Sequence, residues 1–176
     1  MHPVIDRLTS NNHARGVFSW GEFVRERPDL AAVGRRLFYQ HGLGLGFLAT
    51  VRPDGGPRVH PICPILTDAA LFALIVRGPK LNDLRRDRRF SLHSETSPPP
   101  RQDDAFYVAG VPVEVTDQEA RKRVDNQFLG ERGLASPWPG FAEQVLFELR
   151  FDRALVTLTA AEGGLEAGHT IWHAPG

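Results

Sequence analysis

Residues 71–87, LFALIVRGPKLNDLRRD, decide how the rest of the chain is read. An apolar run of strand length, 71–76, meets a tight turn at Arg77, Gly78 and Pro79, and a helix opens at Pro79 and Lys80. Proline suits a first helical turn, where its missing N–H would have had no partner, and Gly78 lets backbone approach a ligand closely. Free amides, the positive end of a helix dipole and the side chains of Arg77 and Lys80 converge there. That combination suits an anion, above all a phosphate on a molecule flat enough to lie along the strand. The same residues also fit an ordinary strand-to-helix connection with solvated charges.

Just upstream, residues 58–66 (RVHPICPIL) read as the partner strand, returned antiparallel by a turn at 67–70. Pro61 and Pro64, three apart, remove one ladder donor on each side, so this strand is either an edge or bulged. Either way a gap opens beside His60, Ile62 and Cys63 that a planar ligand could fill. Residues 46–51 (GFLATV) form the preceding strand, joined through the hairpin signal RPDGGP. Gly42, Gly44 and Gly46 precede that strand instead of following one and opening a helix, so they are not a dinucleotide-binding fingerprint.

Downstream of Pro79, Leu81 and Leu84 share one helix face, and Asn82, Asp83, Arg85 and Arg86 are expected to face outward. Strands follow at 90–94 and 105–115, separated by a proline-rich loop at 95–104, and Thr116 with Glu119 spaces a capping box for a helix over 117–129. Two last strands are read at 145–151 and 154–159, joined at Asp152 and Arg153. The tail around Trp172 is too short to fold alone and is expected to dock on its own barrel or on a partner subunit. At the other end, residues 1–18 read as a loosely held arm. Ser19 and Glu22 then cap a helix at 20–27, and a second helix runs from Pro28 to near Gly42.

With 176 residues, 41% of them hydrophobic, the chain fits one domain, residues 19–176. A chain of that length can bury about 70% of its unfolded surface. Acidic and basic residues balance at 21 each, so no global field favours nucleic acid or a charged membrane. RRDRR at 85–89 reads as a solvated helix face. No apolar run approaches the roughly 20 residues of a membrane span, and the first residues are too polar for a secretory signal. Cys63 is the only cysteine, which excludes an intrachain disulfide and points to a reducing cytoplasm. No metal site is expected, because His60 and Cys63 face opposite ways on a regular strand and His169 with His173 would need a helix.

Six to seven antiparallel strands in meander order, with helical insertions, describe a mainly β chain closed as a small barrel. GFLATVRPDGGPRVHPICPI, followed a strand later by VRGPKLNDLRRDRRFSLHS, resembles the pyridoxamine 5'-phosphate oxidase-like family of FMN-binding split β-barrels. The resemblance covers roughly residues 40–115 well and the remainder weakly. It implies a homodimer with FMN, or in sister groups a deazaflavin, in a groove between two barrels, and a small-molecule substrate. It implies cofactor contacts from His60, Pro61, Ile62 and Cys63 on one strand and from Ala73 and Leu74 on the facing strand. Further contacts are implied from Arg77, Gly78 and Lys80 in the turn and from Trp172 in the tail. Lys80 matches the phosphate-binding lysine, and His60 falls where many members place an arginine. Where the oxidase proper has Ser-Arg-Lys this chain has Gly78, Pro79 and Lys80. The oxidase's strand lysine falls on Ile65, and its C-terminal arginine region has no counterpart in TIWHAPG. These departures argue against vitamin B6 oxidation. They leave open an oxidoreductase, a non-catalytic flavin- or haem-binding stress or storage protein, and a barrel that has lost its ligand.

Overall fold

The computed structural model describes residues 16–99, 101, 103–159 and 167–176, so most of the expected N-terminal arm lies outside the described residues. Eight strands form one antiparallel sheet: β1 (Gly46–Val51), β2 (Pro57–Ile62), β3 (Ile65–Leu66), β4 (Leu71–Ile75), β5 (Phe90–Ser94), β6 (Ala105–Glu114), β7 (Val145–Thr159) and β8 (Ala167–His173). Four helices accompany them: α1 (Trp20–Glu26), α2 (Pro28–Phe38), α3 (Pro79–Arg86) and α4 (Gln118–Glu131). The hydrogen-bonded order is β2-β1-β5-β6-β7-β4-β3, with β8 on β7.

The first and last strands of that order, β2 and β3, are neighbours in sequence, separated only by Cys63 and Pro64. The sheet must therefore curl until its two ends meet, and it is closed by covalent chain instead of by a ladder. Residues 58–66 were expected as one strand. They break after Ile62: β2 pairs only with β1, and β3 makes a two-residue ladder with β4, Ile65 opposite Phe72 and Leu66 opposite Leu71. The prolines explain the break. Pro61 and Pro64 withhold the donors that a continuous strand would need on both sides.

Residues 145–159, expected as two strands, are one. The register between β6 and β7 slips at Ala109/Gly110, with Ala109 opposite Arg153 and Gly110 opposite Phe151. Asp152 is the extra residue of a bulge, which bends the strand without ending it. A Cβ on Gly110 would fall 2.2 Å from the Arg150 carbonyl oxygen, so the close approach needs glycine. The bend lets the first part of β7 pair with β4 and the last part with β8. Phe18 bridges Phe151 between them, with backbone bonds of 2.8 and 3.0 Å. The tail thus docks in cis, as an eighth strand beyond the six to seven expected.

The caps follow the sequence closely. At α1 the Glu22 amide donates to Ser19 Oγ and the Ser19 amide to Glu22 Oε2. At α4 the cap is Asp117, one residue later than expected, accepting from the Ala120 amide. The inward faces of the strands meet α1 and α2 in one core, where Trp20, Phe23, Phe38, Phe106 and Phe151 are fully buried. Phe23 sits edge-on to Phe151, with centroids 5.2 Å apart. A second cluster, Ile65, Val124, Phe128, Phe141 and Leu146, fills the space between α4 and the β3–β4 side. No helix among the described residues is long and apolar enough to cross a membrane.

Candidate cofactor site at the split

Strand β4 ends at Ile75, Val76 and Arg77 lie exposed, and Gly78 takes φ 148°, ψ −168° before Pro79 opens α3. That φ favours glycine. The space where a Cβ would stand on Gly78 holds no atom within 4 Å, so the turn is open to an incoming group. No side chain caps α3, and its first turn carries no acid. The Asn82 amide is the first to reach a helical carbonyl, that of Gly78, which leaves the Lys80 and Leu81 amides without partners inside the helix.

Lys80 is half-buried in this turn. Burial pushes its ammonium below the usual lysine value, with the neighbouring Cys63 thiol opposing the shift. Eleven side chains of this arginine-rich chain pair with acids, yet neither Lys80 nor Arg77 forms an ion pair among the described residues. A half-buried cation without a counter-ion, at an uncapped helix N-terminus, offers the charge and the free donors that an anion would need.

Across the split stands β2. Alternation places Arg58, His60 and Ile62 on one face, and Arg58 shows that this face looks toward α3, because its Nε donates to Asp83 Oδ2 at 2.7 Å. His60 is exposed, Ile62 is 8% exposed, and Cys63 is half-buried against the second cluster. The structure therefore gathers Cys63, Gly78 and Lys80 at the break, with Arg77 beside them and His60, Pro61 and Ile62 along the open edge. It does not gather Ala73 and Trp172 there. Ala73 is wholly enclosed by the core, whereas Leu74, half-buried, packs on the same second cluster as Cys63. Trp172 lies among Phe18, Phe23 and Phe151 and donates its indole N–H to Glu26 at 2.9 Å.

Asp83 is the residue that sequence reasoning misplaced. Expected in solvent, it is 2% exposed. Besides Arg58, Thr50 Oγ1 donates to it at 3.1 Å, and an Arg86 amino group lies 3.4 Å away. Burial alone would push this carboxyl up, but the bonds from Arg58 and Thr50 and the charges of Arg58 and Arg86 outweigh it and hold the group below the usual range.

A cleft of about 660 Å³ opens elsewhere, on the outer face of β1, β5, β6 and β7, floored by Ala49, Ser91 and Ala109 with Arg89 and Arg153 among its walls. It shares no residue with the Lys80 turn.

A sheet whose ends meet through two residues instead of a ladder decides the architecture. The fold is a split β-barrel. Solved structures agree with it. A candidate pyridoxamine 5'-phosphate oxidase from Listeria innocua superposes with TM-score 0.57 at 14% identity, covering 74% of this chain and 97% of that one. A NimC/NimA family protein from Clostridium acetobutylicum gives 0.54 at 14% identity, over 81% and 93%. A heme binding protein from Mycobacterium smegmatis gives 0.55 at 17%, over 79% of this chain but only 57% of that one. At these identities the likeness establishes the split barrel and nothing finer. No known sequence family and no curated protein matches the chain.

Proposed function

We propose that this split barrel binds FMN along the β2 edge, with the phosphate at Gly78–Lys80, and works as an FMN-dependent oxidoreductase on a small substrate. The observation that carries the reading is the half-buried, unpaired Lys80 beside an open glycine turn. A phosphate at about 4 Å from one lysine gains at most about 4 kcal/mol at an effective dielectric near 20. Micromolar affinity needs about 8 kcal/mol. The remainder would come from the Lys80 and Leu81 amides, from Arg77, and from burying the apolar ring against Ile62 and Cys63. FMN supplies hydride transfer when bound, and this chain's residues bind, orient and exclude water.

A second copy would supply the other wall of the cofactor groove. Supporting a homodimer is an outward-facing row in register across the sheet, Pro61, Phe47, His93, Tyr107, Leu155 and Ile171. Ile171 is 57% exposed, and Val59 on the same face is 59% exposed. The one cysteine fits a cytoplasmic setting.

The experiment is an absorbance titration of the purified protein with FMN, a deazaflavin and haem in parallel. Saturable flavin bands with preference for FMN are expected. Tighter deazaflavin binding would replace the cofactor, a Soret band with no flavin binding would replace the class, and no binding of any of the three would end the cofactor reading.

A further inference from the structure

We propose that the buried bridge between Asp83 and Arg58 spans the split and positions the Lys80 turn, making the site selective for a phosphorylated flavin over its dephosphorylated form. The inference rests on the flavin reading above. Asp83 belongs to α3, which follows β4 at one end of the sheet, and Arg58 belongs to β2 at the other. No ladder joins those ends. Their 2.7 Å contact is the one hydrogen-bonded link between β2 and α3 among the described residues.

The other anchors of α3 act farther from the turn or less sharply. Leu81 and Leu84, at 4% and 1% exposure, turn one helix face to the core, which sets rotation only coarsely, and Arg85 donates to Glu114 in the last turn of the helix. Asp83 is held more sharply: its carboxylate takes Arg58 and Thr50 from the barrel side, while Arg86, one turn on, also donates to the Val51 carbonyl. Lys80 stands three residues earlier, about 4.5 Å back along the axis and on the same face. Whatever fixes Asp83 about the helix axis thus fixes where the Lys80 ammonium and the Gly78 turn point. Apolar residues at both 83 and 58 would extend the Leu81–Leu84 stripe without burying a charge, and such exchanges of a whole pair are often neutral or stabilising. A bridge at that place contributes orientation more than stability.

The test compares FMN with riboflavin, which differ only in the phosphate, by flavin-fluorescence titration of the full chain. Wild type is expected to prefer FMN. In Asp83→Asn the preference should fall about tenfold, the scale of one charge-assisted contact, with riboflavin affinity changed less than about twofold. Arg58→Lys, which keeps the charge, should restore part of that loss relative to Arg58→Gln. If Asp83→Asn fails to fold by circular dichroism, the double variant Asp83→Leu/Arg58→Met removes the bridge without stranding a charge, and the same fall is expected. A preference that survives, or FMN and riboflavin affinities that fall in parallel, overturns the inference and leaves the flavin reading standing. Wild type that binds neither flavin overturns both.

Discussion

The two edges that face each other across the split are finished differently. On β3 the Leu66 amide donates to the Tyr39 hydroxyl and the Leu66 carbonyl accepts from Gln127 Nε2, both at 3.0 Å. Tyr39 and Gln127 meet in turn at Glu131 Oε1, at 3.1 and 2.8 Å. Side chains from the end of α2 and from α4 thus complete the ladder that no strand supplies. On β2 two of six residues are prolines, His60 stands exposed, and Lys80 and Arg77 across the gap form no ion pair among the described residues. An edge capped by its own chain resists added strands and holds the barrel split. The β2 edge has no such completion by side chains among the described residues.

The largest effect should come from removing the charge that faces the open edge across the split. Lys80→Met is expected to weaken FMN binding about 30- to 100-fold, or roughly 2–2.7 kcal/mol, and to leave riboflavin nearly unaffected. Equal losses for the two ligands would show that the lysine does not meet the phosphate.

On the capped edge, Tyr39→Phe strands the buried Leu66 amide and should cost about 1–2 kcal/mol in urea unfolding at neutral pH, with faster hydrogen exchange at Leu66 and no change in FMN affinity. A loss of FMN binding here would erase the distinction between the edges. The same hydroxyl has a pH signature. Burial, reinforced by Glu131, pushes Tyr39 up from 10.0 to about 12, against the bond from Leu66. The folded protein therefore keeps a proton that the unfolded chain releases above about pH 10. Its contribution is complete below that value and is lost as pH rises toward 12. Wild type should accordingly lose stability more steeply than Tyr39→Phe between about pH 10 and 12, read from urea midpoints.

Gln127→Ala exposes a carbonyl that water can reach, so a smaller loss, about 0.5–1 kcal/mol, is expected in the same unfolding assay. The smallest effect carries the opposite sign. Because burial disfavours the charged form of Lys80, the ammonium destabilises the empty protein below its own pKa and is relieved as pH rises through it. Lys80→Met should raise the melting temperature of the ligand-free protein, by no more than about 2 °C given its partial exposure. A clear drop would mean that Lys80 is a structural residue.

Much of this contrast was legible beforehand. Ser19 with Glu22, the RPDGGP hairpin and the Gly78–Pro79 helix start are local signals, decided by a few neighbouring dihedrals, and each folds where expected. The irregularity at Asp152 and Arg153 was legible but read as a joint between two strands; that it is a bulge depends on pairing with Gly110, some forty residues away in sequence, where the lack of a Cβ admits the Arg150 carbonyl. Asp83 was misread for the same reason. A charged residue is assigned to solvent unless its partners are known, and Thr50 and Arg58 lie on strands that only the curled sheet brings to α3.

By itself, the order of residues determined the strand and helix periods, the caps, the proline-broken edge and the cation-bearing turn, all of which rest on spacing within a dozen residues. Tertiary structure alone decided that the tail becomes β8 and which charges end up paired. Those outcomes depend on contacts between residues far apart in sequence, and the chain must close its sheet before any of them exists.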